Sequence, residues 1–214
     1  MAHVLDFRPH YDAIVVGARC AGAATAILLA RAGLRVLAVD RQPYGSDTLS
    51  THALMRPAVM QLSRWGLLDD ILNTGAPVVR SSTFHYGEEQ VTVPIKPEPG
   101  IPGLIAPRRT VLDRVLVDAA RAVGATVLHD THVHELTFDR HGRVVGVALT
   151  NPDGKPRYLA CEVVVGADGL SSLVARAAGA SPIATGRAPV AHAYGYTTIP
   201  AALSGYHWYF QTGL

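Results

Sequence analysis

YDAIVVGARCAGAATAILLARAGLRVLAVDR, residues 11–41, decides how this chain folds. Residues 13–16 are a short continuous apolar run, the pattern of a parallel strand buried on both faces. Residues 22–32 are rich in Ala and Leu, which favour helix. Gly33 follows, a natural residue just past a helix C-terminus. Residues 35–39 read as a second strand. Strand, helix and strand in about thirty residues make a βαβ unit, whose crossover is right-handed.

Between the first strand and the helix lies Gly17-Ala18-Arg19-Cys20-Ala21-Gly22. A dinucleotide-binding turn there has three tasks for glycine. The first makes the tight turn, the second lets the backbone approach a pyrophosphate, and the third lets helix and strand pack closely. Gly17 and Gly22 supply the first and third. Asp40 ends the second strand, where an acid hydrogen-bonds ribose hydroxyls, and Arg41 follows it. The phosphates would sit on the backbone N–H groups of the helix start, near Cys20 and Ala21. Arg19 stands where the second glycine is usual. Two roles are open to it. Its side chain points to solvent while its backbone lines the turn, which is the expectation, or its guanidinium pairs with the pyrophosphate or a nearby acid.

Outward from this unit, residues 44–52 are polar and turn-like. Residues 55–66 read as a helix with Val59, Leu62 and Trp65 on one face. Residues 83–93 read as strands around Gly87-Glu88-Glu89, and a Pro/Gly linker, KPEPGIPG, follows. Thr110 opens a helix with Asp113 as its capping-box partner and Leu112, Leu116, Ala119 and Val123 as its apolar face. Gly124 ends it, and residues 125–128 are another parallel strand. Residues 132–160 alternate apolar and polar around the turns DRHGR and NPDGK, an antiparallel three-stranded meander. Residues 162–165 are again a buried-type strand, running into GADGLSS and a short helix to Ala178. After Pro182 the chain turns aromatic and strand-like. Tyr194, Tyr196, Tyr206, Trp208, Tyr209 and Phe210 either wall an apolar pocket or fill a strand core, the commoner use.

The 214 residues suffice for a domain and part of another. Apolar residues make up 49% and charged ones 17%, and the net charge of +2 is carried by scattered Lys and Arg. With no basic stripe, nucleic acid is a poor partner. Cys20 and Cys161 are the only cysteines and give no disulfide framework, which fits a reducing cytoplasm. MAHVLDFRPHYD lacks a basic start followed by an apolar run, so no signal peptide is expected. The apolar stretch after Gly22 is broken by Arg31 and is too short for a membrane span. His132 and His134 share a strand face with His129 and Glu135 near, which permits a metal in principle. An exposed strand is the commoner use, and no metal is expected.

Two further segments carry a resemblance. VVVGADGLSSLVAR, residues 163–176, and PRRTVLDRVLVDAA, from Pro107, look like parts of the FAD-dependent monooxygenase and oxidoreductase family built like para-hydroxybenzoate hydroxylase. Geranylgeranyl reductases and flavin-dependent halogenases are its relatives. The resemblance covers about residues 11–180, with the segments in the family's order. It implies an α/β fold: a Rossmann-like FAD-binding domain with a parallel sheet and an antiparallel three-stranded meander, plus part of a β-rich substrate domain. The implied division is an FAD-binding domain at 1–82 and 103–180, a substrate-domain insertion at 83–102 and incomplete substrate-domain strands at 181–214.

The resemblance also implies residue roles. Asp168 and Gly169 would lie near the FAD pyrophosphate, and Arg109 at the flavin. Val133 lies on a strand whose backbone would run past the adenine. Ser50, Thr51 and His52 would pass between pyrophosphate and flavin ring, with His52 the one candidate for a catalytic side chain; a plain helix-entry loop is the equal alternative. NAD(P)H would reduce the flavin, and oxygen would then react, on an apolar or aromatic small molecule. Prenyl-type double-bond reduction is a variant, and a non-catalytic dinucleotide-binding fragment is the rival. The family's later Gly-Asp motif, which binds the ribityl chain, does not occur among the 214 residues. The exposed C-terminal strands would invite self-association.

Overall fold

A computed structural model describes residues 10–50, 53–184, 186 and 205–210. They form two compact units. The first comprises the described residues of 1–46 and 113–187, the second those of 47–112 and 188–214.

The first unit is built on strand β1 (His10–Val16), helix α1 (Cys20–Arg31) and strand β2 (Val36–Val39), the predicted βαβ unit. Val36 to Val39 are all buried, as a continuous apolar run in a central strand requires. Helix α4 (Arg109–Ala122) leads to β7 (Thr126–Leu128), β8 (His132–Phe138), β9 (Val144–Thr150), β10 (Pro156–Gly166) and α5 (Leu173–Ala177). The six strands make one sheet in the order β7-β2-β1-β10-β9-β8. β7, β2, β1 and β10 run parallel; β9 and β8 are antiparallel. Helix α1 packs on β1 and β2, and α5 on β8 and β10. Tyr11, Ile14, Leu37, Val39, Val147 and Leu149 belong to the buried cluster that ties the parallel strands to the meander.

The meander forms, with one difference from its sequence reading. Its third strand and the following parallel strand are a single strand, β10. Pro156 to Ala160 pair antiparallel with β9, whereas Ala160 to Gly166 pair parallel with β1. The two halves read as separate because one alternates and the other is continuously apolar, and the pattern changes near Cys161.

Helix α4 also differs in detail. Its buried residues are Leu112, Asp113, Leu116, Val117 and Ala120, while Ala119 and Val123 are half-buried. Asp113 therefore lies on the buried face rather than capping the helix, which already starts at Arg109.

The second unit contains α2 (Arg56–Trp65), α3 (Leu68–Leu72), β3 (Val78–Val79), β4 (Ser81–Tyr86), β5 (Glu89–Pro94), β6 (Leu104–Ile105) and β11 (Tyr206–Phe210). Gly66 ends α2 in the left-handed conformation, φ 75°. β4 and β5 form the predicted hairpin, and β11 adds to β4 in parallel. β3 pairs with β6. His85, His207 and Tyr209 stack on one face of the three-stranded sheet, and Phe84, Tyr86 and Phe210 on the other. Tyr194 and Tyr196 lie outside the described residues.

Candidate functional site

The glycine turn is built as its residue types require. Gly17 has φ +96°, a left-handed conformation. A Cβ there would stand 2.3 Å from the Ala167 carbonyl oxygen. A Cβ on Gly22 would stand 1.7 Å from the Gly17 carbonyl oxygen. Neither position accepts a side chain: Gly17 lies against the end of β10, and Gly22 against the carbonyl of Gly17 in the turn itself. The Gly17 amide donates to the Val39 carbonyl at 2.7 Å, and the Ala167 amide to the Val16 carbonyl at 2.7 Å. Three strand ends meet here.

Asp40 closes the corner from β2. It is 8% exposed. One carboxylate oxygen accepts from the Ala18 amide at 2.8 Å, the other from the Gln42 amide at 2.8 Å. An acid at this position thus shapes the turn; carboxylate oxygens retain further lone pairs for a hydroxyl. Arg41, next in sequence, is exposed.

Arg19 overturns the expectation that its side chain simply points to solvent. Its backbone, φ −81° and ψ −164°, is ordinary extended geometry at the N-cap of α1, so a Cβ costs the backbone nothing. Its guanidinium donates to the Asp113 carboxylate at 2.9 Å and to the Ser46 hydroxyl at 3.0 Å. The Cys20 thiol donates to the other Asp113 oxygen at 3.1 Å. The Arg19 side chain is 26% exposed and that of Asp113 only 7%. Periodicity could not reveal this pair, because its members are 94 positions apart. The single available signal was an acid on the apolar face of α4.

The start of α1 has no side-chain cap and no acid in its first turn. Its first backbone N–H groups have no intrahelical acceptor, and with the helix dipole they favour an anion. Ala18, Arg19, Asp40, Ser46, Asp113 and His129 are among the residues lining a shallow cleft open to solvent. His129 meets Tyr44 edge-on at 5.4 Å between centroids. Arg114 and Arg121 lie over the Tyr44 ring, and its hydroxyl donates to Asp118 at 2.5 Å. Burial, and then Arg121, push the His129 pKa down, so its imidazole is held neutral more readily. Nothing in the sequence pattern marked Tyr44 or Ser46, and Asp113 was marked only as a capping residue.

A dinucleotide diphosphate fits this corner on chemical grounds. Two positions accept no Cβ, an uncapped helix start faces the turn, and an acid stands at the neighbouring strand end.

The remaining predicted residues fall as follows. Asp168 follows β10, and its carboxylate accepts from the Ser172 hydroxyl and from the Leu173 and Val174 amides at 2.5, 2.6 and 3.2 Å. Partial burial pushes its pKa up, but those bonds outweigh it and hold the carboxyl below its ordinary value. Its carboxylate therefore serves the start of α5. Gly169 has φ +80°, with open space where a Cβ would stand. Val133 is buried on β8, the edge strand of its sheet. Arg109 is the first residue of α4, and Ser50 lies half-buried in the second unit. Thr51 and His52 lie outside the described residues. The Nδ1 atoms of His132 and His134 are 2.9 Å apart. No group of three or more metal-ligating side chains occurs among the described residues.

Residues 10–205 match the family described as FAD binding domain. The chain is 35% identical over 188 residues to aklavinone 12-hydroxylase RdmE of Streptomyces purpurascens, covering 78% of this chain and 34% of that protein. It is 32% identical over 171 residues to digeranylgeranylglycerophospholipid reductase 2 of Methanothermobacter thermautotrophicus, covering 79% and 42%. Among solved structures, P. aeruginosa PqsL in complex with 2-aminobenzoylacetate superposes with a TM-score of 0.72 at 24% identity, covering 84% of this chain and 48% of that one. The chain spans 34% to 42% of the length of these two curated relatives.

Proposed function

The chain belongs to the FAD binding domain family, and on that premise we propose that it holds FAD in an oxidoreductase of the monooxygenase type, acting with NAD(P)H and oxygen on an apolar or aromatic small molecule. The observation that carries this reading is the glycine corner. Gly17 and Gly22 are closed to any Cβ, and Asp40 hydrogen-bonds the Ala18 amide inside the turn.

In this reading the pyrophosphate lies against residues 17–22, where Cys20, Ala21 and Gly22 open α1. Asp40 and Arg41 serve the adenosine side, with the Val133 strand beside it. Ser50, Thr51, His52 and Arg109 belong to the flavin side. Asp168 and Gly169, just past β10, would lie near the same pyrophosphate. Bound FAD supplies the redox chemistry, and the protein binds, orients and excludes water. The similarity to a hydroxylase supports monooxygenation. The similarity to a digeranylgeranylglycerophospholipid reductase supports a second reading, reduction of a prenyl-type double bond. Among the described residues no helix is long and apolar enough to cross a membrane.

The test is to titrate the purified chain with FAD and with ADP, then add NADH or NADPH to the flavin complex without oxygen. Flavin absorbance that is retained and then bleached is the expected result. Oxygen uptake coupled to substrate loss separates monooxygenation from double-bond reduction. A chain that binds ADP but never flavin would leave the non-catalytic reading standing.

A further inference from the structure

The turn lacks the one glycine whose task is to let a phosphate approach, yet the corner otherwise fits a diphosphate. Something must keep the Arg19 side chain out of the way. Its guanidinium is held on two sides, by the Asp113 carboxylate at 2.9 Å and by the Ser46 hydroxyl at 3.0 Å. Ser46 also offers its carbonyl, at 3.4 Å. Asp113 is held in turn by the Cys20 thiol. A carboxylate that is 7% exposed beside an anion site would repel phosphate if it stood alone. Paired with Arg19 its charge is offset.

We propose that Arg19, Asp113 and Ser46 form a clasp that does the work of the missing glycine. Asp113 and Ser46 are positioning residues: they draw the guanidinium aside so that only the Arg19 backbone lines the phosphate path. This rests on the FAD reading above. The clasp also ties α4 to the glycine turn, so a substitution on α4 is felt at the cofactor's diphosphate.

The clasp has a signature that a merely stabilising ion pair lacks. Asp113→Asn frees a long cationic side chain at the turn. Arg19→Gly restores the glycine but strands a buried carboxylate next to the phosphates. Either change alone should weaken FAD and ADP binding about tenfold or more. The double variant Arg19→Gly with Asp113→Asn removes both the obstacle and the stranded charge. It should return to within about threefold of the unaltered chain, a coupling measured as a double-mutant cycle.

The experiment measures dissociation constants for FAD and ADP with the whole chain and the three variants, beside their melting temperatures without ligand. Weak singles and a rescued double are the expected result. Two outcomes overturn the clasp: a double variant no tighter than either single, or an Asp113→Asn chain that binds more tightly than the original. The latter would mean that the freed guanidinium grips the phosphate directly. If Asp113→Asn does not fold, Ser46→Ala decides from the other side of the clasp. It should weaken ADP by about threefold, the loss of one hydrogen bond, and unchanged affinity would overturn the proposal. Failure of the original chain to bind either ligand would instead sink the FAD reading itself.

Discussion

At the scale of single residues, Asp40 does two things that sequence spacing merges into one. Its place at the end of β2 marks it for a ribose. Its carboxylate, however, accepts the Ala18 and Gln42 amides and thereby fixes the turn before any ligand arrives. Asp40→Ala leaves two amides without their acceptor, at about 1–3 kcal/mol for a buried group. Both the melting temperature of the ligand-free chain and its FAD affinity should therefore fall. A role confined to ribose binding would leave the ligand-free melting temperature unchanged, so calorimetry without FAD decides between them. Gly22 makes a harder demand. A Cβ only 1.7 Å from a backbone oxygen cannot be relieved by a side-chain rotation. Gly22→Ala should already abolish soluble expression or flavin retention, checked by circular dichroism and by the flavin-to-protein ratio after purification.

At the scale of elements, β1 and β2 are stapled at their starts. The Arg35 guanidinium and backbone amide donate to Asp12 and hold its carboxyl at about 2, below the ordinary 3.8. A depressed folded-state pKa means that the contribution is present above 3.8 and is lost as pH falls through about 2. Asp12→Asn should thus lower the melting temperature slightly at neutral pH, and the gap to the unaltered chain should close on acidification over that range. The pair is exposed, so the effect is small. At the other end of the sheet, Ser172 caps α5 by accepting from the Ala175 amide at 2.9 Å. Ser172→Ala should cost about 0.5–2 kcal/mol in chemical denaturation. The βαβ unit was legible in the sequence because apolar runs and glycines act locally. The two-residue strands β3 and β6 were not, since two residues carry no period, and α3 is a single short turn after Gly66. The orientation of Arg19 was hidden for another reason: its partner comes from an element far along the chain.

At the scale of the whole molecule, FAD on the first unit links binding to folding. At a concentration of about 100 times its dissociation constant it should stabilise the folded state by about 2.7 kcal/mol. Scanning calorimetry checks this, and the transition of the unit carrying the glycine turn is the one expected to move. The sheet's central strand has a consequence for synthesis. β10 pairs with β9 next to it in sequence, but also with β1, about 150 residues earlier, Ala13 lying opposite Val163. The β8–β9–β10 hairpins close in microseconds once made. β1 pairs with β2 soon after it on one edge, but its other edge has no such neighbour. On the ribosome, at about 5–20 residues per second, it emerges roughly 8–30 s before the strand that will cover its second edge. Through that interval an apolar strand, four of whose last residues are fully or nearly fully buried in the finished fold, stands with one row of backbone groups unpaired. The nascent chain is therefore most exposed to mispairing, and most in need of a chaperone, between the completion of α1 and the arrival of residue 166.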